Sequence, residues 1–126
     1  MQVIENLIVN ARQFSPTDAQ IQVDLYGIGT TAFLRVLNKG ELIPEKYILH
    51  GHIFEPFFTS YKHGRGLGLT VVKVIVDKHG GSVFVDSFLI GDDSEKSRLY
   101  KIARTIFTVA LPMVNNRKSK TEIISQ

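Results

Sequence analysis

The segment between Gly64 and Gly81, "GRGLGLTVVKVIVDKHGG", constrains the fold more than any other part of this 126-residue chain. Glycines at alternate positions open it, and two adjacent glycines close it. Its Val and Ile content would suit a strand. Its length and the charges at Lys73, Asp77 and Lys78 instead favour a helix over residues 68–79, ended by Gly80. The rest of the chain must therefore pack around a helix bounded by glycine.

The other elements follow from hydrophobic periodicity. Apolar residues from Val3 to Ala11 recur at helical spacing, and this helix ends near "FSPTD". "AQIQVDLYGIG" predicts a strand with Ile21, Val23 and Leu25 facing inward, and it forms a hairpin with "AFLRVLNKG". A short helical turn is expected after Pro44. "GSVFVDSFLI" and "TIFTVALP" predict two more strands, joined by a polar connection. This order predicts a two-layer α/β (α+β) sandwich, with helices on one face of a mixed, mainly antiparallel sheet.

Composition sets the outer limits. The length predicts one domain over residues 1–112, followed by a polar, basic tail over 113–126 that we expect to be disordered. The chain has no cysteine, which excludes disulfides and thiolate zinc sites. A net charge of +3 with scattered cations gives no sign of nucleic-acid binding. No apolar run reaches the roughly 18 residues of a membrane span, so a cytoplasmic domain is expected, whose parent protein is free to be membrane-anchored. Because the first helix starts at once, we expect the chain to be a fragment of a longer protein.

Asn6 and Asn10 lie four residues apart, so both project from one face of the first helix. Amide oxygens are suitable ligands for Mg²⁺, which takes its other oxygens from phosphate and water. The alternative is that both side chains are solvated or cap a neighbouring loop. Glu5 lies about 140° around the helix from Asn10 and is interpreted as a surface carboxylate rather than a general base.

"GRGLGL" predicts an anion site. Glycines let the backbone approach a ligand, and the helix that starts there offers free N–H groups and a positive dipole end. Lys62 and Arg65 would add charge. The alternative is a glycine-rich turn, since the motif is neither a P-loop nor a Rossmann fingerprint. The four histidines show no metal-ligand spacing and are interpreted as surface or loop residues: His50, His52, His63 and His79.

Five stretches occur in an order that resembles one family. They are "ENLIVNARQFSP", "NKGELIPE", "IFEPFFTS", "GRGLGLTVVKVIVDKHGG" and "TIFTVALP". This succession is similar to the N, first-glycine, F and second-glycine boxes of the ATP-binding catalytic domain of sensor histidine kinases, over Val3 to Pro112. The resemblance implies a Bergerat-type sandwich that binds ATP and Mg²⁺ in a cleft under a mobile lid.

The resemblance also implies roles for particular residues. Asn10, with Asn6 beside it, would hold Mg²⁺, and Phe14 would lie against the adenine. Thr105 would line the base pocket. The lid hinge on the phosphate side would be formed by Gly64, Gly66, Leu67, Gly68 and Leu69. The remaining residues implied to bind ATP are Gln13, Asn38, Gly40, Lys62 and Arg65.

The chain departs from the family pattern on the adenine side. The first glycine box normally reads Asp-x-Gly-x-Gly, and its Asp accepts a hydrogen bond from the adenine amino group. Here Asn38 and Leu42 replace that Asp and the second Gly. Asn can still accept one hydrogen bond, but it loses charge assistance on the order of 1 kcal/mol. This loss weakens the binding of ATP about tenfold. Gln13 replaces a usual Lys, and Arg104 rather than a glycine precedes Thr105.

The implied function is the catalytic module of a two-component sensor histidine kinase. It would pass the γ-phosphoryl group of ATP to a histidine on a separate dimerisation domain and, through it, serve a response regulator. The chain carries no such phospho-acceptor context and would not autophosphorylate alone. Relatives that hydrolyse ATP carry a Glu at the position of Asn6, so hydrolysis is disfavoured. The alternatives are a degenerate pseudokinase that serves as a signalling interaction module, and an anti-sigma-type Ser kinase.

We also expect that the strand that precedes the first helix in this family is missing from this chain. Its absence would leave an open sheet edge, through which two copies of the chain could pair as a homodimer.

Overall fold

A computed structural model of the chain describes residues 2–15, 19–56, 68–90 and 102–113. These residues form three α-helices, four strands and one short 3₁₀ turn at His52–Phe54. In chain order the helices and strands are α1 (Gln2–Gln13), β1 (Gln22–Ile28), β2 (Thr31–Gly40), α2 (Glu45–Leu49), α3 (Gly68–Lys78), β3 (Ser82–Leu89) and β4 (Ala103–Pro112).

The four strands form one sheet in the order β1-β2-β4-β3, and every described pairing is antiparallel. β1 and β2 form the expected hairpin, with Gly29 at positive φ in the turn. β2 and β4 are the central strands, and Asn38 pairs with Thr105 near one end of them. The sandwich fold is thus confirmed. The mixed pairing that was expected alongside it does not occur among the described strands.

The core lies between one face of the sheet and the helices. Burial alternates along β4, because successive strand residues point to opposite faces. α1 and α3 contact each other and cover this face at helical spacing. The most buried side chains come from both layers: Leu7, Ala11, Val36, Val72, Val76, Phe107 and Val109. This packing confirms helix periodicity for α3, although Val and Ile favour strands.

The glycines that close α3 do so as predicted. Gly80 has a φ of 72°, a left-handed conformation that glycine adopts without strain. The Gly81 N–H donates to the Val76 carbonyl oxygen at 3.0 Å, which satisfies a carbonyl at the helix end. α3 therefore stops at Lys78, one residue before the predicted end.

Two predicted boundaries need correction, and the inward-facing residues of β1 are less buried than expected. β1 starts at Gln22 rather than at residue 19, and β4 starts at Ala103, two residues before "TIFTVALP". Val23 and Leu25 lie opposite core residues of β2 but remain 44% and 47% exposed. They are not buried because β1 is an edge strand. The polar connection over 91–101 and the tail from 114 onwards lie outside the described residues. No helix in the described ranges is long and apolar enough to cross a bilayer.

Candidate functional site

Asn6 of α1 lies next to the start of α3. A Cβ added to Gly68, the first residue of α3, would lie 3.9 Å from Asn6 Oδ1. Asn10 lies one turn further along α1, on the same face as Asn6. Its Oδ1 is buried and has no hydrogen-bond partner among the described residues. The structure therefore brings Asn6, on the face of α1 that also carries Asn10, to a helix N-terminus more than 50 residues further along the chain.

The unpaired oxygen of Asn10 is an acceptor that needs a donor or a cation. A buried acceptor without a partner costs about 1–3 kcal/mol. An amide oxygen is a hard ligand of the kind that Mg²⁺ binds, usually with only one or two protein ligands. No cluster of three or more His, Asp or Glu side chains suitable for a metal occurs within the described residues. Asn10 and Asn6 therefore fit a magnesium ion that draws its other ligands from phosphate and water.

A second group of polar side chains crosses the sheet on its helix-facing side. Asn38 of β2 pairs with Thr105 of β4, and Thr105 pairs with Ser87 of β3. We call these three residues the cross-strand polar row. Thr105 Oγ1 and Ser87 Oγ share a hydrogen bond of 2.8 Å. The Ile43 N–H donates to Ser87 Oγ at 3.0 Å, which fixes the loop after β2 against β3.

Asn38 is the least satisfied member of the cross-strand polar row. Its side chain is only 3% exposed, yet its Nδ2 has no hydrogen-bond partner among the described residues. Thr105, its cross-strand neighbour, is 1% exposed and is engaged with Ser87 instead. A buried amide donor in this position needs an acceptor.

The loop after β2 is held against the end of α1. The Glu41 N–H donates to the Phe14 carbonyl oxygen at 3.1 Å. A Cβ on Gly40 would collide with this same oxygen, so only glycine fits at this position. Phe14 itself is half-buried and packs against the core. Leu42, which replaces the second glycine of the family pattern, is 40% exposed.

The other predicted residues divide into three groups. Leu69 packs against the core, and its neighbour Thr70 donates to the Phe54 carbonyl oxygen at 2.9 Å. Gln13 and Glu5 are exposed. Five predicted residues lie outside the described ranges: Lys62, Gly64, Arg65, Gly66 and Leu67.

Sequence reasoning missed Ser87 and the Ile43 N–H. Ser87 has no motif around it, and its importance arises only because the strand register places it beside Thr105. Of the histidines, His50 and His79 are exposed, and His52 bonds Glu55 at 2.8 Å with its side chain 45% exposed. These three agree with their interpretation as surface or loop residues, and His63 lies outside the described residues.

A separate groove of about 560 Å³ lies beside the start of β1. β1 pairs with β2 only from Gln22 onwards, so the last residues of β2 have no strand on that side. Lys39 and Arg104, which pair across β2 and β4, contribute two cations to it. The residues around the groove are Ala19, Gln20, Ile21, Gln22, Leu37, Asn38, Lys39 and Arg104. Asn38 is the one residue it shares with the candidate site.

Comparison with known proteins identifies the class. The profile of the family described as "Histidine kinase-, DNA gyrase B-, and HSP90-like ATPase" matches residues 1–115. The match covers most of the chain. It includes the four elements that carry the candidate site residues: α1, α3, β2 and β4. The chain belongs to this family.

Relatives of known name place the chain among sensor histidine kinases. Sporulation kinase D of Bacillus subtilis is 37% identical over 86 residues, which is 68% of this chain and 17% of that protein. The heme sensor protein HssS of Staphylococcus haemolyticus is 32% identical over 116 residues, which is 90% of this chain and 22% of that protein. The chain thus spans about a fifth of the length of these relatives.

Solved structures agree with this placement. The mycobacterial sensor histidine kinase MprB superposes with a TM-score of 0.70 at 32% identity, over 88% of this chain and 68% of that one. The catalytic domain of histidine kinase ThkA, in a nucleotide-free form, superposes with a TM-score of 0.68 at 28% identity, over 88% of this chain and 64% of that one. The domain is therefore of the sensor histidine kinase catalytic type.

Proposed function

We propose that this domain binds ATP with Mg²⁺ and presents the γ-phosphoryl group to a histidine on a separate dimerisation domain. The observation that carries the proposal is the buried, unpaired Oδ1 of Asn10, one helical turn along α1 from Asn6, which itself lies beside the N-terminus of α3. A cation on one side and helix N–H groups on the other suit a bound polyphosphate.

Each part of the site has a role in this proposal. Asn10, with Asn6, holds the magnesium ion, which neutralises charge on the phosphates when bound. The first N–H groups of α3 face the phosphates, because no residue precedes them within the helix to accept their bonds. Phe14 and the cross-strand polar row serve the base. Lys62, Arg65 and the glycines at 64 and 66, with Leu67, supply the lid side.

Binding is tested by calorimetry with Mg-ADP and Mg-ATP, each repeated with EDTA in place of magnesium. We expect saturable binding that weakens strongly without the metal. Asn10→Ala should remove the dependence on magnesium, whereas Val9→Ala, at an exposed neighbouring position on α1, should not. A titration without heat, supported by unchanged melting temperatures with both nucleotides, would refute the proposal.

Phosphoryl transfer needs a second experiment, since the acceptor lies on another domain. We propose that this domain is in the parent protein or is supplied in trans, and that a response regulator is the final partner. ThkA has been solved in complex with the response regulator TrrA, at a TM-score of 0.63 to this chain. Radiolabelled ATP incubated with this chain and a relative's dimerisation domain should give an acid-labile, base-stable phosphohistidine. The domain alone should give none.

A non-catalytic interaction module is the second candidate. It is favoured by Asn38, a neutral amide at a buried position where the family pattern has a carboxylate. Under this alternative, nucleotide binding is lost while the fold is kept. The same calorimetric titration separates the two functions.

The homodimer through an open sheet edge stays a prediction. β1 is one edge of the described sheet and exposes apolar side chains on both of its faces. These are Val23, Leu25, Tyr26 and Ile28. A mass that stays that of one chain in sedimentation at high concentration would contradict it.

A further inference from the structure

The amide of Asn38 offers a donor where an acidic side chain would offer only acceptors. Its Nδ2 is buried and has no partner among the described residues, and the whole side chain is 3% exposed. A carboxylate accepts hydrogen bonds through both oxygens, whereas an amide both donates and accepts. A ligand that reaches Asn38 is therefore favoured if it brings an acceptor.

The neighbours of Asn38 do not supply that acceptor. Thr105 lies directly opposite it across β2 and β4, but the Thr105 hydroxyl is engaged with Ser87 at 2.8 Å. Ser87 also receives the Ile43 N–H. The loop that could approach Asn38 is thus tied to β3, and its end is held by the bond between the Glu41 N–H and Phe14. No described group is bonded to the amide nitrogen, so an acceptor on a ligand would satisfy it.

We infer that the base pocket accepts hypoxanthine nucleotides, such as inosine diphosphate, about as well as adenine nucleotides. This inference depends on the proposed nucleotide binding. Hypoxanthine has an acceptor oxo group where adenine has a donor amino group, and its adjacent ring nitrogen is a donor where that of adenine is an acceptor. The Asn38 amide can pair with either edge by rotating through half a turn. A carboxylate at this position would repel the oxo group and select adenine.

The test compares ADP with IDP, because the two differ only at the base edge that faces Asn38. Calorimetry with magnesium on the unaltered chain should give dissociation constants within about threefold of each other, since each base forms neutral hydrogen bonds of similar strength. Asn38→Asp should tighten ADP and weaken IDP, so that their ratio grows by roughly fivefold to a hundredfold. Gln2→Glu makes the same amide-to-carboxylate change at the exposed start of α1 and should leave the ratio unchanged.

Each outcome decides the inference. ADP binding without IDP binding overturns it and leaves the proposed function intact. Binding of neither nucleotide overturns the proposed function and this inference together. If Asn38→Asp does not fold, the ratio measured on the unaltered chain still decides the matter. Equal shifts of the ratio in Asn38→Asp and Gln2→Glu would assign the selectivity to net charge and refute a role for the amide.

Discussion

α1 and β2 each hold one asparagine with a buried amide atom that is unpaired among the described residues, and these two atoms have opposite polarity. On α1, Asn10 leaves an oxygen without a partner among the described residues. On β2, Asn38 leaves a nitrogen. The oxygen fits a cation, and the nitrogen fits an acceptor on a base. In the proposed function, one residue type would thus serve two different ligand groups, through opposite ends of its amide.

Gly40 lies where the end of β2 meets the end of α1, and its substitution should have the largest effect on stability. A Cβ there would collide with the Phe14 carbonyl oxygen, which is backbone and cannot move away easily. Gly40→Ala should lower the free energy of unfolding by about 3 kcal/mol or more, as expected for a steric clash inside a packed structure. Urea unfolding followed by circular dichroism measures this.

Gly68→Ala is the matched control for Gly40→Ala. An added Cβ at Gly68 meets its nearest atom at 3.9 Å, an ordinary contact, and Gly68 starts a helix where Ala is tolerated. Its stability should stay within about 0.5 kcal/mol of the unaltered chain. Similar losses of unfolding free energy in both variants would show that the close contact between Gly40 and Phe14 is not the cause of the loss.

Asn10→Ala tests the metal side. Loss of the amide ligand should weaken the affinity for Mg-ADP roughly a hundredfold, equivalent to about 2.7 kcal/mol of binding free energy. The unfolding free energy without nucleotide should not fall, because the lost oxygen had no partner among the described residues. Calorimetry and urea unfolding of the same preparation give both quantities. A loss of stability without a loss of affinity would make Asn10 a structural residue.

Thr105→Val tests the base side. It keeps the shape of the side chain but removes the hydroxyl that bonds Ser87, and should cost about 1 kcal/mol of unfolding free energy. Thr108→Val is the control, since Thr108 belongs to the same strand but points to the opposite face of the sheet. Urea unfolding measures both variants. If they have the same stability, the cross-strand polar row does not stabilise the sheet.

Lys73→Ala should have the smallest effect. Lys73 and Asp77 form an exposed pair at 2.8 Å one turn apart on α3, away from both asparagines. Its loss should cost about 0.3–0.5 kcal/mol at low salt and less at high salt. Urea unfolding at two ionic strengths measures it, with Lys78→Ala as the control on the same helix. A cost above that of Thr105→Val would contradict the ranking of buried over exposed interactions.

Much of this fold could be predicted because its signals are local. The spacing of four residues placed Asn6 and Asn10 on one face of α1, and glycine at the end of α3 predicted the observed cap at Gly80. The β1–β2 hairpin followed from alternation and from Gly29 in the turn. Val23 and Leu25 show the limit of such patterns, since alternation assigns the face of a strand but not whether a helix covers it.

The sequence by itself determined the order of the elements, their type, the asparagine face of α1 and the need for glycine where α3 ends. These depend on interactions between residues a few positions apart, so their pattern is readable in the chain. Only the tertiary structure decided that Gly40 meets Phe14, that Ser87 supports Thr105, and which end of each buried amide stays unpaired. Those depend on strand register and on contacts between distant segments, where an error of one residue would turn every side chain to the other face.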